Sequence, residues 1–106
     1  MSTKRGVNIR VHATTANGFR DYCHELYEPM SAVLERLLAE DVADETDRIG
    51  HIRIVPPQER LNARMHFELD TEVYADFVTK CHKLRVMPAR RLNQWMIAAS
   101  RGDGEE

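Results

Sequence analysis

The sequence predicts a mainly α-helical fold with one two-stranded antiparallel β-sheet, built from two strand-helix-helix units in tandem. Three observations predict it. Two short stretches alternate apolar and polar residues, four longer ones carry apolar stripes at helical spacing, and one offset of 58 residues lays the first half on the second. The plainest trace of that offset is CHEL at residues 23–26 and CHKL at 81–84, in a chain with two cysteines and five histidines.

Residues 7–12, VNIRVH, put Val7, Ile9 and Val11 on one face and Asn8, Arg10 and His12 on the other, the period of a half-buried strand. Thr14 or Thr15 is placed to cap the helix that follows, because a side-chain oxygen there can accept a first-turn N–H. The stripe of that helix is Phe19, Cys23 and Leu26, with Tyr22 beside it. Pro29 interrupts it, since proline is poorly tolerated inside a helix. A second helix then buries Val33, Leu34, Leu37 and Leu38.

The second half repeats the order. Residues 64–70 alternate Met65, Phe67 and Leu69 against Arg64, His66 and Glu68. Asp70 can cap the next helix, whose stripe is Val73, Phe77, Cys81 and Leu84, and Pro88 suits the first turn of the last one. That final helix buries Leu92, Trp95, Met96 and Ala99. The first unit spans residues 1–41 and the second 64–100, with a linker at 42–63 and a disordered acidic tail at 101–106. Five acids between residues 40 and 47 read as a solvated helix end, and HIRIVPP as a short extra strand stopped by Pro56 and Pro57.

A lone unit cannot bury its strand, because the ladder of backbone groups would stay unpaired. Two units solve this by pairing their strands antiparallel and packing their helices around one core, as a single-chain pseudo-dimer. A zinc site from Cys23, His24, Cys81 and His82 is the competing account of the echo. Adjacent helical residues point about 100° apart, so a cysteine on the buried stripe turns its histidine neighbour away. Neither C-x₂₋₄-C nor H-x₃₋₅-H spacing occurs, so no metal and no cofactor are expected.

Hydrophobic residues make up 42% and charged ones 30% of the 106 residues, enough for a core and a solvated surface. No apolar run approaches the roughly 20 residues of a membrane helix, so no membrane partner is expected. The N-terminus lacks the apolar core of a signal peptide, and two cysteines without one read as reduced thiols in a cytoplasmic setting. The net charge of −2 implies no general attraction to nucleic acid, so any such binding rests on local charge. Phosphate-binding, hydrolase and metalloprotease motifs are absent, and no enzyme is expected.

The alternating strand RMHFELD, the helix TEVYADFVTKCHKL and the turn and helix RVMPARRLNQWMIA resemble the ribbon-helix-helix (Arc and MetJ-like) DNA-binding family. The first unit, VNIRVHA through LERLLAED, fits the same template, and two units in one chain resemble the fused TraY-type proteins of conjugative plasmids. The resemblance implies a β-ribbon entering the major groove of double-stranded DNA, with Asn8, Arg10 and His12 from one strand and Arg64, His66 and Glu68 from the other at base edges. Glu68 departs from the usually polar or basic ribbon. It also implies backbone-phosphate contacts at the start of each second helix, Met30 and Ser31 in one unit and Ala89 and Arg90 beside Pro88 in the other. Lys4 and Arg5 would add phosphate contacts from a flexible arm. The function so implied is transcriptional regulation or an accessory role in conjugation, with a protein partner or self-association on DNA as a further option. The alternative is the same scaffold as a protein-binding module or inhibitor that does not bind DNA.

Overall fold

The computed structural model describes residues 3–101. These form β1 (Lys4–Val11), α1 (Ala13–Glu25), α2 (Met30–Ala43), α3 (Arg48–His51), β2 (Ala63–Asp70), α4 (Thr71–Leu84) and α5 (Pro88–Arg101). The fold is mainly helical with one antiparallel pair of strands, as the patterns predict. The register sets Val7 opposite Phe67, Asn8 opposite His66 and Ile9 opposite Met65. Asn8 and His66 are also 58 residues apart, so the ladder pairs two positions related by the offset near its middle.

The inward strand residues Val7, Ile9, Val11, Met65, Phe67 and Leu69 are all buried. They form one wall of a core closed by Phe19, Leu34, Leu38, Phe77, Leu92 and Met96. Phe19 meets Phe67 edge-on at 6.3 Å, a favoured geometry for aromatic quadrupoles. The helices cross between halves: α1 packs mainly on α5, and α2 on α4. Cys23 and Cys81 lie in the core while His24 and His82 face solvent, the division that helical spacing requires.

The echoed tetrapeptide marks a helix end used twice. Tyr27 and Arg85, 58 apart, both adopt left-handed backbone with φ of 56° and 59°. The Glu28 N–H donates to the Cys23 carbonyl at 3.2 Å and the Val86 N–H to that of Cys81 at 3.0 Å. Tyr27 likewise donates to His24 at 3.0 Å and Arg85 to His82 at 3.2 Å. These bonds satisfy carbonyls that a helix otherwise leaves open at its C-terminus. Leu26 and Leu84, expected on the buried stripes, are instead exposed, each one residue before the left-handed turn, and the buried stripe ends at the cysteine.

Other expectations change at the element ends. β1 begins at Lys4, so Lys4 and Arg5 belong to the strand rather than to a flexible arm. His12 lies past the strand as the N-cap residue of α1 and makes no side-chain cap bond. Neither threonine caps α1: Thr15 is buried, and the Thr14 N–H donates to the Glu59 carboxylate of the linker at 3.2 Å. Asp70 does cap α4, accepting from the Glu72 and Val73 N–H groups. Residues 52–57 form no strand; Ile52 and Ile54 pack on the core and Arg53 and Val55 point out, strand-like in burial but without a ladder to join. Arg101 ends α5, and the rest of the expected tail lies outside the described residues.

Candidate nucleic-acid interface

The outer face of the ribbon is made by the residues between the buried ones. Across it the register sets Gly6 opposite Glu68, Asn8 opposite His66 and Arg10 opposite Arg64. The His66 ring bridges the centre, its Nδ1 2.9 Å from Asn8 Oδ1 and its Nε2 3.0 Å from Glu68 Oε1. Gly6 makes room for that ring, since a Cβ there would come within 2.8 Å of His66 Cε1. Arg10 and Arg64 are exposed, face each other and have no acidic partner among the described residues. Like charges directly opposite on a sheet repel, so this pair would be eased by an anion.

Lys4 shares the outer face at its edge but is held by Glu35, Nζ to Oε1 at 2.9 Å. Arg5 belongs to the opposite face, where its guanidinium lies 5.4 Å from the centroid of the Tyr74 ring. His12 stands apart, with a buried Nδ1 that has no hydrogen-bond partner. Asn8, Arg10, Arg64, His66 and Glu68 are thus brought together on the outer strand face; Arg5 lies on the opposite face, and His12 lies past the end of the strand.

The second helix of each half lies along the open edge of the other half's strand. The Glu68 N–H donates to Ser31 Oγ of α2 at 3.0 Å, and Asn93 Nδ2 of α5 donates to the Arg10 carbonyl at 3.2 Å. These bonds cover edge groups that would otherwise be open to pairing with another chain. They also set the start of α2, Met30 and Ser31, beside β2, and that of α5, with Ala89 and Arg90, beside β1. Pro29 precedes α2 and makes no side-chain cap, so the first-turn N–H groups have no side-chain acceptor there. Arg90 is exposed without an acidic partner among the described residues, whereas Met30 is half-buried against the core.

Behind the ribbon lies a polar cluster absent from the stripe reading. Asp41, in the acid run whose composition predicts a solvated helix end, is instead fully buried. It accepts from Arg91 Nε and Nη2, both at 2.7 Å, from Trp95 Nε1 at 2.8 Å and from Lys80 Nζ at 2.9 Å. Arg91, 2% exposed, also binds Asp47, which ties the linker to α5. Burial works against the charged form of Asp41, but hydrogen bonds from Arg91, Trp95 and Lys80 outweigh it and hold the carboxyl below its usual range. The hydrogen bonds that Arg91 donates to Asp41 in turn raise the Arg91 pKa. Hydrogen bonds from the Thr46 hydroxyl and the Arg48 N–H bring Asp44 down to about 2. The available signal was Arg91 itself, a charge at the stripe position that Val33 occupies in the first half.

Among the described residues no group of three or more His, Cys, Asp or Glu is placed to hold a metal ion, and no helix is long and apolar enough to cross a membrane. No known protein family, curated protein or solved structure matches the chain.

Proposed function

We propose that the chain is a tandem ribbon-helix-helix protein, a pseudo-dimer in one polypeptide, that binds double-stranded DNA through the outer face of its ribbon. The observation that carries the reading is the exposed, unneutralised pair Arg10 and Arg64 at one end of a two-stranded ribbon that pairs Asn8 with His66 near its middle. Arginine can make a bidentate contact to guanine and asparagine to adenine, and a two-stranded ribbon fits a major groove about 12 Å wide. Ala89 and Arg90 beside β1, and Met30 and Ser31 beside β2, flank that face where phosphates would run. The pseudo-dimer is supported by the register and by helix-end bonds that recur 58 residues on. Regulation of transcription and an accessory role in conjugation are both compatible with this surface.

The reading as a protein-binding module draws on a different observation. The other end of the face carries Glu68, and Glu35 stands behind it. A mobility-shift assay on DNA flanking the protein's own gene, at two salt concentrations, separates the two. Specific retardation that weakens with salt is expected, since phosphate contacts release counterions; no retardation at low salt would sink the DNA reading and favour the protein partner.

A further inference from the structure

A cavity of about 550 Å³ opens between β1, the start of α5 and the linker. That volume is within the range of roughly 300–1,000 Å³ typical of small-molecule sites. Its apolar surface comes from Ile9, Ile54, Leu61 and Ile97. Arg10 and Arg90 also line it, and no acidic residue does. Two further lining residues carry buried polar atoms without partners, His12 Nδ1 and Asn93 Oδ1. Both atoms lie beneath the cavity surface, so its polar character rests on Arg10 and Arg90. Glu59 stands close by, its carboxylate taken by the Thr14 N–H.

The positions related by the 58-residue offset give an internal control. Where this side has Arg10, His12, Arg90 and Asn93, the other has Glu68, Asp70, Ala32 and Glu35. There Glu35 reaches the strand edge and accepts the Asp70 N–H, and it pairs with Lys4. The two sides differ in charge, basic on this one and acidic on the other, and the basic side holds the cavity.

We propose that this cavity binds a small amphipathic carboxylate, with its apolar body against Ile9, Ile54, Leu61 and Ile97 and its anionic group between Arg10 and Arg90. The site stands independently of DNA binding, though on that reading ligand and nucleic acid would compete for the two arginines. The test therefore contains no DNA. Sodium octanoate is titrated into the full chain and followed by methyl NMR shifts, with 1-octanol as the neutral control. One saturable site is expected, with shifts at Ile9, Ile54, Leu61 and Ile97 and none at Leu26 or Leu84. Octanol should bind about tenfold more weakly or worse, and Arg10→Gln with Arg90→Gln should weaken octanoate by a similar factor, about 1.4 kcal/mol. Both arginines are exposed, so the double variant should keep its helical circular dichroism. Absence of saturation, octanol binding as well as octanoate, or octanoate affinity unchanged in a folded double variant would each overturn the proposal.

Discussion

Replacing Asp41 by alanine would strand Arg91 in the core. The guanidinium is 2% exposed and gives two hydrogen bonds to the carboxylate that the substitution removes. Breaking a buried ion pair from one side costs about 3–5 kcal/mol, because the remaining charge is left uncompensated. Asp47 still touches Arg91, so the lower end of that range, about 3 kcal/mol, is the figure to expect. At about 4–8 °C per kcal/mol for a chain near 100 residues, the melting temperature should fall by roughly 12–24 °C. The offset supplies a rescue: the equivalents of Asp41 and Arg91 are Ala99 and Val33. Asp41→Ala with Arg91→Val should therefore be no less stable than Asp41→Ala alone, a non-additivity of about 3 kcal/mol in a urea double-mutant cycle. The pH dependence has a fixed sign. The folded pKa of Asp41 is depressed, so its contribution is present above the unfolded value of about 3.9 and is lost as pH falls through the folded value. The stability gap between wild type and Asp41→Ala should narrow below about pH 4. Single substitutions that add within about 0.5 kcal/mol would refute the idea that Asp41 and Arg91 act as one buried unit.

Burial pushes the Cys23 and Cys81 thiols up to about 11, so both should react slowly with Ellman's reagent at pH 7 and quickly in denaturant. Fast native-state labelling would contradict their place in the core. Tyr27 and Arg85 hold left-handed backbone, which costs an L-residue about 1–2 kcal/mol, against about 0.5–1 kcal/mol of extra chain freedom for glycine. Tyr27→Gly and Arg85→Gly should each raise stability in urea by up to about 1 kcal/mol, and a clear loss at either would argue against that backbone. On the DNA reading, Arg10→Ala should cost about 1–3 kcal/mol and relax preference at one base pair. Arg90→Ala should weaken all sequences alike and flatten the salt dependence. Because the 58-residue offset sets Asn8 and Arg10 of one strand against His66 and Glu68 of the other, selection from random DNA should return an asymmetric site; a perfect palindrome would count against this ribbon.

Much of the architecture was legible because it rests on short-range periodicity. Val7, Ile9, Val11, Met65, Phe67 and Leu69 alternate, and one face of a two-stranded sheet had to be buried, so their placement followed. Phe19, Cys23, Phe77 and Cys81 followed from helical spacing in the same way. The element ends were harder. Thr14 and Thr15 satisfy every local rule for a cap, yet Glu59, some 45 residues away, takes the first-turn N–H of α1, and sequence order does not disclose such a contact. Asp41 looked solvated beside four other acids, because a composition run says nothing about which member turns inward. His12 shared the parity of Asn8 and Arg10, but the strand stops one residue before it. The outer face of the strand pair was therefore readable from alternation, and the position of the strand end was not.

The crossed packing of the helices has a consequence for synthesis. β1 finds its ladder partner only when residues 63–70 have been made, and α1 finds its main packing partner only with α5. Until residues 63–70 leave the ribosome, β1 has no strand to pair with, and the face of α1 that meets α5 stays uncovered for longer still. Pairings this distant in sequence pay their loop-closure entropy before any contact rewards it, which slows folding. During that interval, the complement of β1 can also be supplied by β2 of a neighbouring chain on the same message. Translation speed and polysome crowding would thus set the ratio of self-closed to strand-exchanged molecules. A chain stopped before α5 would lose the partner of its first helix as well as its last one.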